Sequence, residues 1–135
     1  MENISIDLSN LDEIQIDFFK EMLTFEILDA SEIIRDKKSI FADKEETLKK
    51  YRAFIYLIYN KVKQNSIFEV YFSKLDELQI KWFKNMIITT LETHDEIIKE
   101  LFSDKDNIKD KDEMELFNSY IGFKNILDEI LSKIN

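Results

Sequence analysis

Apolar residues follow two rhythms along this chain, and the rhythm changes at matching places in its two halves. Ile4, Ile6 and Leu8 alternate with Ser5 and Asp7, and Phe68, Val70 and Phe72 alternate with Glu69 and Tyr71. A two-residue period puts each set on one face of an extended backbone, so each run predicts a half-buried strand. The step then lengthens. Ile16, Phe19, Leu23, Ile27, Ala30 and Ile34 recur every three or four residues, as do Ile80, Phe83, Ile87, Leu91, His94 and Ile98. Each set lines one face of a long helix. Ser9 and Ser73, three residues before Asp12 and Asp76, read as capping-box starts. Further capping-like spacings at Asp29 to Glu32 and Thr93 to Glu96 leave the apolar step in register, so each helix is expected to run unbroken. A second helix follows in each half, carried by Leu48, Tyr51, Ile55, Ile58 and Val62 and by Met114, Phe117, Tyr120, Ile121, Leu127 and Leu131. Charged loops precede these helices, around Asp43 to Glu46 and Asp104 to Asp112.

Laid on itself with an offset of 64, the chain places residues 4–36 over 68–100 with twelve identities in 33 positions and no gap. Leu11-Asp12-Glu13 and Gln15-Ile16 fall on Leu75-Asp76-Glu77 and Gln79-Ile80, and Glu32-Ile33-Ile34 on Glu96-Ile97-Ile98. Shared helical composition does not readily reproduce that string together with the flanking alternation. The expectation is a mainly α fold built by tandem duplication of a strand-helix-helix unit, with copies at 4–66 and 68–135 in a single domain spanning 1–135. A lone strand cannot satisfy its backbone hydrogen bonds. Residues 4–8 are therefore expected to pair with 68–72 as a small two-stranded antiparallel ribbon about a pseudo-twofold axis, packed with four helices.

At 135 residues, 44% hydrophobic and 35% charged, the chain has the composition of a packed globule rather than a disordered segment. Eleven Phe and five Tyr supply the bulk of such a core. The absence of Cys removes disulfides, thiolate metal sites and a thiol nucleophile. Met1-Glu2-Asn3-Ile4 lacks the basic start and apolar run of a signal peptide, and no apolar stretch reaches membrane-spanning length. These features read as a soluble, cytoplasmic protein with no membrane partner. A net charge of −9 argues against direct binding to a nucleic-acid backbone, where Lys and Arg supply the affinity. It leaves room for a partner that is itself basic.

Catalytic chemistry finds no foothold. His94 is the single histidine, and its context, His94-Asp95-Glu96, has neither the Lys-Gly nor the neutral surroundings of a phosphotransfer histidine. It sits on the apolar step, where the first copy has Ala30, and reads as a packed structural residue. A dimetal carboxylate bundle needs paired Glu-x-x-His motifs, and Leu91 stands three residues before His94. Asp104 to Asp112, ending at Glu115, spaces its acids like a calcium loop but puts Ile108 and Lys109 where an oxygen ligand and a glycine belong. With one Gly, the chain has no nucleophile elbow and no phosphate-cradling loop. The reading is no catalytic residue, no metal and no cofactor. A cavity gathering acids such as Glu26 and Glu92 around His94 would revive an enzyme or ligand-binding reading.

Two surfaces remain as partner-binding candidates. Residues 1–36 carry ten acids and two bases, while 37–66 carry three acids and eight bases. Within the first long helix Glu13, Asp17 and Glu21 form an i, i+4, i+8 stripe that the second copy replaces with Glu77, Lys81 and Asn85. The stripe either faces a basic partner or matches the neighbouring helix that bears Lys49, Lys50, Arg52, Lys61 and Lys63. Phe54, Tyr56 and Leu57 lie off the apolar face of that helix, as a second core face or an aromatic contact patch. The sequence thus points to a non-catalytic acidic protein that masks a surface of another protein, in the manner of an inhibitor, an immunity or antitoxin protein, or a phage counter-defence protein. The alternative is a self-associating structural or assembly subunit, a homodimer included.

Overall fold

The structure, a computed structural model, describes residues 3–36, 38–103 and 110–134. The chain forms β1 (Ile4–Asp7), α1 (Glu13–Arg35), a 3₁₀ turn (Ala42–Lys44), α2 (Glu45–Gln64), β2 (Ile67–Val70), α3 (Glu77–Leu101) and α4 (Lys111–Ile134). The fold is mainly α, four helices with one two-stranded antiparallel sheet, as the two hydrophobic rhythms require. None of the described helices is long and apolar enough to cross a membrane.

β1 and β2 pair in the register Ile4 to Val70, Ser5 to Glu69, Ile6 to Phe68 and Asp7 to Ile67. The alternation works as expected: Ile4, Ile6, Phe68 and Val70 are buried, and Leu8 and Phe72 continue the same face past the ladder. Ser5, Asp7, Ile67 and Glu69 face outward. The outward carbonyls of the central pair are met by lysines. Lys133 Nζ donates to Ser5 O (3.1 Å) and Lys61 Nζ donates to Glu69 O (2.7 Å).

Both long helices run without a break, as the continuous apolar step predicts. Their caps lie three residues beyond Ser9 and Ser73. Asp12 is the N-cap of α1: Gln15 N donates to Asp12 Oδ1 (2.7 Å), and Asp12 N donates to Gln15 Oε1 (2.9 Å). Asp76 and Gln79 repeat this box at α3. Ser9 instead bonds back to Asp7, holding that exposed carboxyl below its usual value. The glutamines have a second role. Gln15 Nε2 donates to Ser119 O of α4 (3.2 Å), and Gln79 Nε2 donates to Thr47 O of α2 (3.0 Å). Each carboxamide thus caps one helix and tethers another, which explains why both are buried.

The core is continuous from the sheet into the helices. Phe19, Met22, Leu23 and Ile27 of α1 pack with Tyr51, Ile55, Ile58 and Val62 of α2, with Phe83, Met86 and Ile87 of α3, and with Phe123, Leu127, Ile130 and Ile134 of α4. Each fully buried aliphatic side chain contributes about 1.5–3 kcal/mol relative to exposure. The buried face of α2 is the one its periodicity predicts. That of α4 is not. Ser119, Phe123, Leu127, Ile130 and Ile134 point inward, while Met114 is exposed and Phe117, Tyr120, Ile121 and Leu131 are half-buried. The face is rotated because Ser119 belongs inside, its hydroxyl bound to Asp12 Oδ2 (2.7 Å). The calcium-like spacing at 104–112 falls largely outside the described residues.

Candidate functional site

α1 packs closely along α2 and α4, and α3 along α4, but α1 and α3 touch little along their length. Between them lies a half-open groove of about 620 Å³. Phe18, Glu21, Met22, Phe25, Glu26, Asp29, Ala30 and Ile33 form its α1 wall. Trp82, Asn85, Met86, Thr89, Thr90, Thr93, His94 and Ile97 face them from α3, with Leu78 and Lys81 at one end. Each of those α1 residues has the residue 64 positions on among the lining of the α3 wall, but the two walls are not matched pairwise: Phe18 lies against His94, and Trp82 lies with Tyr51 at the Glu26 end. The chemistry of the walls differs: acids and Phe25 on α1 stand against Asn, Thr and His on α3. Short side chains at Ala30, Thr89, Thr90 and Thr93 leave the helices unable to fill the space between them.

Phe41, Leu48 and Tyr51 close the side of the groove toward α2. Tyr51 is 2% exposed, and its hydroxyl donates to Glu26 Oε2 (2.9 Å). Its ring packs edge-on against Trp82 (centroids 5.4 Å), which in turn meets Phe41 (6.2 Å). A carboxylate and an aromatic cluster therefore share one end of the site. Burial raises Glu26 above the usual carboxylate value, opposed by the Tyr51 hydrogen bond, and Asp29 nearby adds to the rise. Burial, with the Glu26 carboxylate beside it, also pushes the Tyr51 phenol far up.

His94 sits at the other edge, half-buried among Phe18, Tyr120 and Phe123, with ring centroids 5.0–5.2 Å away. Its Nδ1 is buried without a hydrogen-bond partner among the described residues. Burial depresses its pKa, so the neutral imidazole is favoured. Packing of His94 on the apolar step thus agrees with the periodicity. Glu26 and His94 do line one cavity, but Glu92 is exposed and not part of it. Among the described residues no group of three or more His, Asp or Glu is placed to hold a metal ion.

The acidic stripe is on the surface. Glu13, Asp17 and Glu21 are all exposed, and none forms an ion pair among the described residues. Four of the five bases of α2 are occupied elsewhere: Lys49 with Glu46, Lys61 on the sheet, Lys63 over the Tyr59 ring, and Arg52 donating to Ser31 Oγ (3.0 Å). Glu21 also lines the groove, so stripe and groove adjoin. The aromatic candidates divide. Phe54 turns inward, its ring 5.9 Å from Phe72 and 5.8 Å from Phe83, and leaves the patch. Tyr56 and Leu57 are 50% and 54% exposed. The groove itself went unseen in the periodicity, although Thr89-Thr90 and Thr93 beside a helix's apolar face, aligned with Phe25, Glu26 and Asp29, marked where one wall loses bulk. No family model, curated protein or solved structure matches this chain.

Proposed function

We propose that this protein is a non-catalytic binding protein that covers a basic surface of another protein, with the exposed face of α1 as its principal contact. The observation that carries this reading is the unmatched stripe Glu13, Asp17 and Glu21. Three acids in a row on one helix repel one another, and their net cost in the isolated chain is relieved by a cationic partner. The alternative internal role, neutralising the Lys-rich α2, finds no support in the ion pairs among the described residues. Phe25 and Leu28, 56% and 54% exposed, continue the α1 surface beyond the stripe and supply apolar area beside the charge. The excess of acids over bases favours the same class of partner.

Self-association through the sheet is the weaker reading, because a lysine ammonium occupies the outward carbonyl of each strand. The test is a tagged pull-down from source-cell lysate, with nuclease present, comparing the natural chain with Glu13→Lys, Asp17→Lys, Glu21→Lys. One stoichiometric protein captured by the natural chain and lost by the folded variant is the expected result. Equal capture by both would remove α1 from the interface.

A further inference from the structure

We propose that the α1–α3 groove is a binding site for a small organic cation, an ammonium or guanidinium carried on an apolar and preferably aromatic body. This inference does not depend on the α1 stripe engaging a protein.

Size comes first. About 620 Å³ is within the range of small-molecule sites, and the groove has their usual build, apolar surface with a few convergent polar groups. Charge complementarity then selects the ligand. Glu21, Glu26 and Asp29 stand on one wall, and Lys81 is the single cationic side chain of the lining among the described residues. Glu26 is the key group. Its carboxylate is drawn out of water, which makes ionisation costly until a positive charge arrives beside it. Tyr51 satisfies one of its oxygens (Oε2), leaving Oε1 with no hydrogen bond among the described residues. Trp82, half-buried beside Tyr51, lines the same end of the groove, and an aromatic face attracts a cation placed over it. An anionic ligand would meet three acids, and a purely apolar one would leave Glu26 buried against it. A cation on an apolar body answers both.

The aligned walls point the same way. In the aligned sequences Met22 and Met86, and Ile33 and Ile97, are identical, whereas Glu26 aligns with Thr90 and Asp29 with Thr93, and all of them line the groove. Negative charge is placed on one wall only, which gives a bound cation one preferred orientation.

Trp82 is the single tryptophan and lines the groove, so its emission reports binding directly. We would titrate the full chain with phenylbutylamine, phenylbutanol and phenylbutyrate, which share a body and differ in end group, and follow the same series by equilibrium dialysis. The amine should saturate at roughly tenfold lower concentration than the alcohol, with the carboxylate weakest, as a charge-assisted hydrogen bond implies. Glu26→Gln keeps an acceptor for Tyr51 and should erase that advantage while leaving the alcohol unchanged. Glu92→Gln, exposed and away from the groove, should leave all three ligands unchanged. Equal binding of the three ligands, no saturable binding by dialysis, or an amine preference that survives Glu26→Gln would each overturn the proposal. So would a Lys-rich peptide that displaces the amine and binds more tightly, since the groove would then belong to a protein partner. Glu13→Lys with Asp17→Lys separates the two proposals: it should abolish protein capture and leave amine binding intact.

Discussion

Gln15 shows how much can hang on one side chain. Its carboxamide closes the α1 capping box and donates to Ser119 O, and it reaches α4 only because residue 122 is glycine. A Cβ at Gly122 would overlap Nε2 of Gln15 and crowd its Cδ at 3.3 Å. Gln15 is buried and tied at both ends, so it cannot simply swing aside. Alanine is favoured over glycine within a helix by roughly 1 kcal/mol. Displacing Gln15 removes a cap and strands a buried amide, each worth about 1–2 kcal/mol. Gly122→Ala should therefore destabilise the protein by about 1–3 kcal/mol in urea unfolding, against the helix-propensity trend. Gly122→Ala in a Gln15→Ala background should recover the propensity gain. A stabilised single variant would show that Gln15 relocates without cost. Two ionisable groups of the groove predict opposite pH trends. Burial lowers His94 from its ordinary 6.5, so the unfolded chain takes up a proton that the folded chain refuses, and stability falls as pH drops through 6.5. Burial raises Glu26 from 4.5, so the unfolded chain ionises first, and stability falls as pH rises past 4.5 until Glu26 ionises in the folded state. Melting curves from about pH 4 to 8 should show Glu26→Gln gaining over the natural chain toward neutral pH and converging with it at the acid end. His94→Phe, which keeps a ring against Phe18 and Phe123, should lose the acid-side decline.

At the scale of elements, the sequence carried most of the architecture and misplaced what hydropathy cannot express. Strict alternation located β1 and β2, and steps of three and four located all four helices, because each element has one face of solvent and one of core. The buried faces of α1 and α2 follow directly. The α4 face was read one rotation away, since a buried Ser119 scores as polar although Asp12 satisfies its hydroxyl. The caps slipped by three residues for a similar reason: Ser9-x-x-Asp12 and Asp12-x-x-Gln15 both fit a capping pattern, and the tether to α4 decides for the second. The two α2 candidates can be separated by substitution. Phe54→Ala removes a ring packed on Phe72 and Phe83 and should cost about 2 kcal/mol or more. Tyr56→Ser with Leu57→Ser should stay within about 0.5 kcal/mol of the natural chain, as expected for exposed positions. Charge reversal of Glu13, Asp17 and Glu21 should likewise leave the melting temperature nearly unchanged. Loss of folding there would mean that the stripe serves the fold.

At the scale of the whole molecule, the groove belongs to no single element, which is why a reading of helices one at a time passes over it. It exists because α1 and α3 each commit their best apolar face to the shared core and touch one another little along their length. The sheet is a whole-molecule feature of the same kind. Two short strands far apart in sequence leave two outer edges, and an open edge is a template for pairing with another chain. Here Lys61 from α2 reaches Glu69 O and Lys133 from α4 reaches Ser5 O, so each edge is guarded by a charged group from a helix of the other half of the chain. A second molecule adding a strand would have to displace an ammonium and desolvate it. The prediction is a sedimentation coefficient that does not change with concentration over the micromolar range for the natural chain. Lys61→Ala with Lys133→Ala should uncover both carbonyls beside Tyr71 and Ile67, which are 50% and 59% exposed. That variant should then associate as concentration rises while keeping its helical circular dichroism. Association of the natural chain to the same extent would mean that the lysines do not guard the edges, and would put self-assembly ahead of the masking reading.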